Sequence, residues 1–400
     1  MPTGIKFFSY LEPSGYGLAA LAALRALVNA GVPVQWHVLA RAGAGVTAAP
    51  VALTSMPAFA AGDAALDDLA ALAAATALPV DHDRVVAFCV PEHWPGLFEP
   101  RHLNIGCTVW ETDRLPPHWR GLLARADRIV VPSAHNAGVF ADAAVGVPVH
   151  VVPHLRRHAF NEFGAPELAT LRRELGVEHA RTVFYTINSW EPRKDLPTLL
   201  RAFVRAFTAE DPVALVVKTT PQGFGAPPLY PREPAAALAQ NVIDDAVRAE
   251  GRAPPAITLL PYEMSGRGVD ALHRIGDAYV STTHGEGFGL GAFDAATLGR
   301  PVLMTGWGGH RDYLGDDAGW PGALPYRLTS VPPFPPDAPS YWRTQRWASV
   351  GVDAVASALR AFVADPEPHR RAAARIAERI ANDFAEPVVG ARLVAALFDD

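Results

Sequence analysis

Glu286 and Asp294 stand eight positions apart, with glycine at 285, 287, 289 and 291 around and between them. Each carboxylate accepts hydrogen bonds at two oxygens, which suits paired sugar hydroxyls. Glycines at every second position leave the backbone free to approach a ligand. Where such a stretch runs into a helix, unpaired N–H groups and the helix dipole favour hydroxyl oxygens or negative charge. Elsewhere Arg193 and Lys194 form an adjacent cation pair, and Lys218 ends a valine-rich run. Cations of this kind can neutralise a diphosphate. Together these residue types could hold a hydroxylated ligand and a diphosphate. Each has a plainer reading: Gly-x-Gly-x-Gly also serves dinucleotide sites or tight packing, and a basic pair also serves as solvated surface.

The elements that must position these residues follow from hydrophobic periodicity. The run from Ala278 to Thr283 reads as a buried strand, Ala292 to Leu298 as a helix and Val302 to Met304 as the next strand. Thr182 to Ile187 reads as a strand leading into Glu191-Pro-Arg193-Lys194-Asp195. Leu196, Leu199, Leu200, Phe203, Val204 and Phe207 then repeat at helical spacing, with Asp195 as N-cap and Pro197 in the first turn. Val213 to Val217 is a strand ending at Lys218, Ala235 to Ala249 a helix, Ile257 to Leu260 a strand and Asp270 to Ile275 a short helix. Pro221 to Pro234 reads as a loop. Seven prolines mark Trp320 to Pro339 as a long surface loop. Trp347 to Phe362, Glu367 to Ala381 and Pro387 to Phe398 read as three helices.

The first part of the chain repeats the β/α alternation. Ile5 to Tyr10 is a strand, Leu18 to Val28 a helix and Val34 to Leu39 a strand, with Gly15 and Gly17 in the first turn. That turn can let a backbone approach a diphosphate or an acceptor, or can be a tight turn with no ligand. Ala58 to Ala77 is a helix. Val85 to Val90 and Leu103 to Val109 are strands that run into Glu92-His93 and Glu111. Ligands in α/β sheets bind outside the carboxyl ends of strands, so His93 and Glu111 are candidates to contact an acceptor. A satisfied polar group at a strand end is the competing reading for each.

His284-Gly-Glu286-Gly287-Phe288-Gly289-Leu290 followed by Asp294 resembles the Glu-x7-Glu signature of retaining nucleotide-sugar glycosyltransferases of family four. Trp110-Glu-Thr-Asp, Ala126-Asp-Arg-Ile-Val-Val-Pro-Ser133 and Pro148-Val-His-Val-Val-Pro-His154 are similar to the N-terminal half of a subgroup of that family. The resemblance implies the α/β GT-B fold, with two Rossmann-like domains facing across a donor and acceptor cleft. The expected parts are an acceptor-binding domain at 1–160, a nucleotide-sugar domain at 161–385 and a final helix at 386–400 returning to the first.

It also implies roles. Glu286, Lys194 and Arg193 would act on the reacting sugar and diphosphate. Gly15, Gly17, Lys218, His284, Gly287, Phe288, Gly289, Leu290 and Asp294 would bind the donor, Asp294 through the ribose, at a position where glutamate is usual. Thr305-Gly-Trp-Gly308-Gly309-His310 resembles the family's turn beneath the phosphates. Asn188 stands where relatives carry an arginine, and Lys218 is the candidate replacement. The implied reaction retains the α configuration, and with no suitably placed Asp-x-Asp pair it is expected to need no metal and no cofactor beyond the nucleotide sugar.

The 400 residues are half hydrophobic and 19% charged, which fits two globular cores. With 35 basic and 41 acidic residues interspersed, the net charge is −6, and no basic patch suggests nucleic acid. No signal-peptide pattern opens the sequence and no apolar run reaches membrane-spanning length, so a cytoplasmic protein is expected. Peripheral membrane contact stays open, since the acceptor hydroxyl could belong to a glycan, a lipid-linked sugar or a small molecule. Cys89 and Cys107 read as buried free thiols. Two other classes remain: a catalytically silent sugar-binding or regulatory subunit of the same fold, and a nicotinamide oxidoreductase. The second lacks a third glycine after Gly15-x-Gly17 and an acidic ribose ligand at the end of the following strand.

Overall fold

The computed structural model describes residues 4–42, 45–52, 64–223, 233–316, 318–334 and 340–399. The chain divides into two compact units, Met1–Phe160 with Ala381–Asp400, and Asn161–Ile380.

The first unit is built on a seven-stranded sheet among the described residues: β1 (Gly4–Tyr10), β2 (Val34–Ala42), β3 (Gly45–Pro50), β4 (His82–Phe88), β5 (Leu103–Cys107), β6 (Arg128–Val131) and β7 (Val149–Val151). Its order is β3-β2-β1-β4-β5-β6-β7, parallel throughout except for the β2–β3 hairpin. The helices are α1 (Gly15–Asn29), α2 (Leu69–Thr76), α3 (Trp119–Leu123) and α4 (Ala134–Asp142). Ser14 caps α1 by accepting the Gly17 amide, and Ala20, Leu21, Leu24 and Leu27 form its buried face.

The second unit carries the order β10-β9-β8-β11-β12-β13, all parallel. Along the chain it runs α5 (Ala165–Glu174), β8 (Thr182–Ile187), α6 (Leu196–Ala206), β9 (Val213–Thr219), α7 (Ala235–Glu250), β10 (Ala256–Pro261) and α8 (Gly266–Ile275). Then come β11 (Ala278–Ser281), α9 (Leu290–Thr297), β12 (Val302–Thr305), α10 (Arg311–Leu314) and β13 (Ala323–Leu324). A two-stranded ribbon, β14 (Tyr326–Ser330) with β15 (Arg346–Val350), precedes α11 (Val352–Ala364) and α12 (Glu367–Asp383). The last helix, α13 (Glu386–Phe398), lies in the first unit and packs on α1. Arg84 Nε reaches the Leu397 carbonyl at 3.0 Å and Arg128 Nη1 the Ala396 carbonyl at 3.3 Å, so two cations satisfy the end of that helix.

Central parallel strands are buried on both faces and therefore read as continuous apolar runs. Val213 to Val217 is an example, with every residue buried. The core of the second unit joins Phe184, Leu199, Leu200, Phe203, Phe207, Leu215 and Phe362. Each fully buried Leu or Phe in it contributes roughly 1.5–3 kcal/mol.

Several expected elements differ. The helix expected over Trp347 to Phe362 is two elements, because Trp347 to Val350 pairs antiparallel with β14 and the helix begins only at Val352. The surface loop expected from Trp320 to Pro339 contains β13 and β14, since its prolines fall between the strands; residues 335–339 lie outside the described residues. Of the alanine-rich helix expected over 58–77, the described part is a turn at Ala64–Leu66 followed by α2, and 58–63 lie outside the described residues, as do 224–232 of the loop expected at 221–234. The helix expected to start at Asp270 starts a turn earlier, capped by the Ser265 hydroxyl.

Candidate functional site

In both sheets the strand order reverses at one point, between β1 and β4 in the first and between β8 and β11 in the second. At such a point the loops leaving neighbouring strands diverge and open a crevice at their carboxyl ends. In the second unit the loops after β8, β11 and β12 carry Arg193 and Lys194, then His284 to Gly289, then Gly306 to His310.

These loops converge on Glu286. Lys194 Nζ lies 2.5 Å from its Oε1, and Thr283 Oγ1 donates to the same oxygen at 3.0 Å. Arg193 Nη1 lies 3.1 Å from Oε2, and the carboxylate is buried. Burial alone would raise the Glu286 pKa; Lys194, Arg193 and, more weakly, His310 overcome it and hold it down at about 2. The carboxylate is therefore a fixed anion at neutral pH.

The two cations are not equivalent. Arg193 also donates to the Gly285 carbonyl at 2.8 Å and to Glu191 Oε1 at 2.9 Å, so its fork ties the β8 loop to the β11 loop. The Arg193 carbonyl in turn accepts from the His284 amide at 2.7 Å. An ammonium has three donors, and Glu286 takes one of those of Lys194. Lysine is thus the better placed of the pair to meet a ligand anion.

The other expected donor residues fall into distinct environments. His284 donates through Nδ1 to the Ala348 carbonyl, 2.6 Å away, and its ring stacks on Trp347 at 4.4 Å and 17°. Its Nε2 lies 3.8 Å from Asp195 Oδ2. Asp195 occupies the N-cap position of α6 as expected, but in the left-handed region (φ 47) and without a side-chain capping bond. Burial raises its pKa, against the pull of His284.

Phe288 is buried between Phe293 and Tyr313, so its side chain belongs to the core and only its backbone is left for a ligand. Gly287 lies between it and Glu286. Gly289 has φ 88, a left-handed backbone that glycine adopts without strain, and it starts α9 ahead of Leu290. Asp294 sits within α9, half-buried, near Tyr185 and Tyr313. Lys218 is the penultimate residue of β9, partly buried, with its pKa lowered by burial; among the described residues no carboxylate lies within ion-pair distance, and Glu263 acts on it from farther away. Asn188 bonds Thr186 Oγ1 at 2.8 Å and Tyr279 Oη at 3.4 Å. The glycine turn after β12 braces the same loop, the Gly309 amide donating to the Glu286 carbonyl at 2.7 Å.

The sequence reading missed Thr283 and Trp347, and it placed His310 in the second glycine turn without assigning it a role. Thr283 adjoins the glycine loop and carries a buried hydroxyl, a signal that was available. Trp347 reaches His284 only through the β14–β15 ribbon, which left no trace in the periodicity. His310 is fully buried, with Nε2 2.7 Å from the Thr305 carbonyl, and its position in the second glycine turn was the only hint.

Four expected residues belong to the first unit, at the carboxyl edge of its sheet. Gly15 and Gly17 open α1. A Cβ at Gly17 would meet the Glu12 carbonyl oxygen at 2.1 Å, so packing alone demands glycine there, whereas Gly15 faces open space. Tyr16 between them bonds Thr108 Oγ1 at 3.0 Å and accepts the Val109 amide at 3.3 Å, which ties this turn to the loop carrying Glu111. The Asn136 amide grips Trp110 through both its backbone N–H and C=O, beside Glu111. His93 is half-buried near Tyr10, and burial lowers its pKa, which favours the neutral ring.

Among the described residues no helix is long and apolar enough to cross a membrane. No curated protein matches this chain at a significant level. Solved structures of similar fold cover nearly all of it. The Anabaena protein HepE in complex with UDP-glucose has TM-score 0.63 and 14% identity, over 99% of both chains. Sucrose-phosphate synthase from Thermosynechococcus elongatus has TM-score 0.62 and 15% identity, over 98% of this chain and 97% of that one. A UDP-forming trehalose-phosphate synthase from Burkholderia xenovorans has TM-score 0.61 and 13% identity, over 100% and 99%. The fold is thus GT-B, with two Rossmann-like units. The family model GT4-conflict, described as family 4 glycosyltransferase in conflict systems, matches residues 191–391, half of the chain, including Arg193, Lys194 and Glu286, and the chain belongs to that family.

Proposed function

We propose that the protein transfers a sugar from a nucleotide-diphosphate sugar to an acceptor hydroxyl, with Glu286, Lys194 and Arg193 at the reacting centre. The observation that carries this reading is the convergence of a buried carboxylate and two cations on the crevice where the second sheet reverses order. HepE, of the same fold, is described with UDP-glucose bound, which supports a nucleotide sugar as the co-substrate.

In this reading Lys194 and the start of α9 stabilise the diphosphate as charge develops on it, and Lys218 adds a cation at the end of β9. Glu286 accepts from sugar hydroxyls, and the backbone of Gly287, Phe288 and Gly289 follows the sugar and phosphates. Asp294 holds the ribose. Arg193 keeps the two loops in register, and His284 lines the sugar pocket. The acceptor is bound in the first unit, where His93, as a neutral imidazole, and Glu111 meet its hydroxyls.

The transfer retains configuration. The bond from the anomeric carbon to the diphosphate oxygen breaks, the acceptor oxygen bonds the same face, and its proton passes to the departing phosphate. The electrostatic work is done by side chains and a helix terminus, and the reaction is written without a metal or a further cofactor. The test is to incubate the protein with nucleotide sugars and candidate hydroxyl acceptors and to read the anomeric configuration by proton NMR. An α-linked product from an α-linked donor is expected; a β-linked product would overturn the same-face route.

A binding-only role has one observation in its favour. Asn188 is engaged with Thr186 and Tyr279 and supplies no charge where an arginine is expected. Binding of a nucleotide sugar with no release of nucleoside diphosphate under any acceptor would select that reading.

A further inference from the structure

On the opposite edge of the first sheet, three side chains that the transfer reaction does not use come together. His82 opens β4, and Glu99 and His102 lie in the turn that enters the neighbouring β5. One ligand atom of each, a ring nitrogen or a carboxylate oxygen, lies within 4.8 Å of the others, and among the described residues this is the one such grouping of three. His82 Nε2 is 3.2 Å from Glu99 Oε2, and His102 Nδ1 is 3.7 Å from the same oxygen. Ligands about 2.0–2.1 Å from a tetrahedral zinc ion stand about 3.3 Å apart. Two edges of the triangle already approach that spacing.

The surroundings hold these groups in place. Asn104 accepts the Glu99 amide at 2.9 Å and donates to the Glu99 and His102 carbonyls at 3.0 Å, which staples the turn. Arg101 takes a left-handed conformation (φ 69) between them. Lys6 on β1 lies 2.6 Å from Glu99 Oε1, which orients the carboxylate and leaves Oε2 to the histidines. His37 on β2 faces Lys6, Glu99 and His82 from the adjoining strand.

His82 Nδ1 lies 3.2 Å from the Val80 carbonyl, which accepts only, so that nitrogen carries the proton. On the other side of the ring Nε2 faces the Glu99 carboxylate. The His82 and His102 rings stack at 5.0 Å and 24°, which holds them side by side. A single cation placed between Nε2, Oε2 and Nδ1 would have all three as ligands. The Val80 carbonyl would then be the outer partner that orients a ligating histidine.

We propose that His82, Glu99 and His102 bind a divalent transition-metal ion of the zinc type, which pins the starts of β4 and β5 together. Two imidazoles and one carboxylate oxygen suit zinc or its neighbours and not magnesium or calcium, which take oxygen ligands. The partly exposed side chains leave a path for the ion and a position for water. Binding requires His102 Nδ1 to give up its 3.1 Å contact with the Pro100 carbonyl, and the Lys6 ammonium opposes it.

The experiment is isothermal titration of zinc chloride into the tag-free full chain after chelator treatment, paired with thermal unfolding in zinc or magnesium. Expected are one zinc per chain, a midpoint that climbs with free zinc and no response to magnesium. His102→Gln, in the exposed turn, should weaken zinc binding at least about tenfold while its midpoint in chelator stays at the wild-type value. Glu99→Gln gives a second reading through a different ligand. Absence of stoichiometric binding to the wild-type chain, or equal binding by both variants, would overturn the proposal.

Discussion

Lys194 Nζ and Glu286 Oε1 are 2.5 Å apart, joining the loop after β8 to the loop after β11 at the point where the second sheet changes direction. This contact both organises the site and fixes the charge of its carboxylate. Replacing lysine leaves Glu286 buried with Arg193 and Thr283 as its remaining partners. Lys194→Ala should lower turnover by about a hundredfold or more if the ammonium stabilises the leaving diphosphate, while Lys194→Arg should recover part of it. Steady-state rates with a saturating donor check this.

The same ion pair makes stability depend on pH. Glu286 has a folded pKa of about 2 against an ordinary 4.5, so its contribution is fully present above 4.5 and is lost as pH falls towards 2. A shift of that size corresponds to roughly 3 kcal/mol. Urea unfolding of Glu286→Gln and wild type between pH 5 and 3 should show the wild type losing the steeper share.

His154 gives a second acid-sensitive term in the first unit. Burial pushes its pKa down from 6.5 to about 4, so the folded state resists protonation. Its contribution is present above about 6.5 and is lost as pH falls through 4, again on the order of 3 kcal/mol. His154→Gln, which cannot take the proton, should flatten the fall in melting temperature between pH 7 and 4.5.

Trp347 supports His284 from the ribbon by stacking, and the adjacent Ala348 bonds both the His284 backbone and its ring. Trp347→Ala should destabilise the fold by roughly 3–5 kcal/mol. Trp347→Phe should keep most of the stability and raise KM for the donor more than it lowers kcat, because it loosens the loop and leaves Lys194 and Glu286 in place. Chemical denaturation and steady-state kinetics separate the two effects.

The parts of this arrangement that were legible in the sequence are those encoded locally. Val213 to Val217 and Ala278 to Thr283 read as strands because parallel strands covered on both faces are continuously apolar, and the second ends two residues earlier, at Ser281. The glycine run and the Glu191 to Lys194 stretch announced their loops through residue type. Contacts made across the chain were not legible. Trp347-Ala-Ser-Val350 fits strand and helix spacing equally, and only pairing with β14 decides it. Whether Phe288 faces ligand or core depends on Phe293 and Tyr313, which the loop's own sequence does not name. The roles of Arg193 and Lys194 separate only once Gly285 and Glu191 are seen to occupy the guanidinium.

The most direct measurement is thermal unfolding of wild type and Lys194→Ala against UDP-, GDP-, ADP- and TDP-sugars in the presence of a chelator. A ligand bound only by the native state raises the midpoint in proportion to the logarithm of its excess over Kd. The donor-site reading predicts that one nucleotide series raises the wild-type midpoint and raises that of Lys194→Ala much less. No response to any series, or an equal response in the variant, would contradict it.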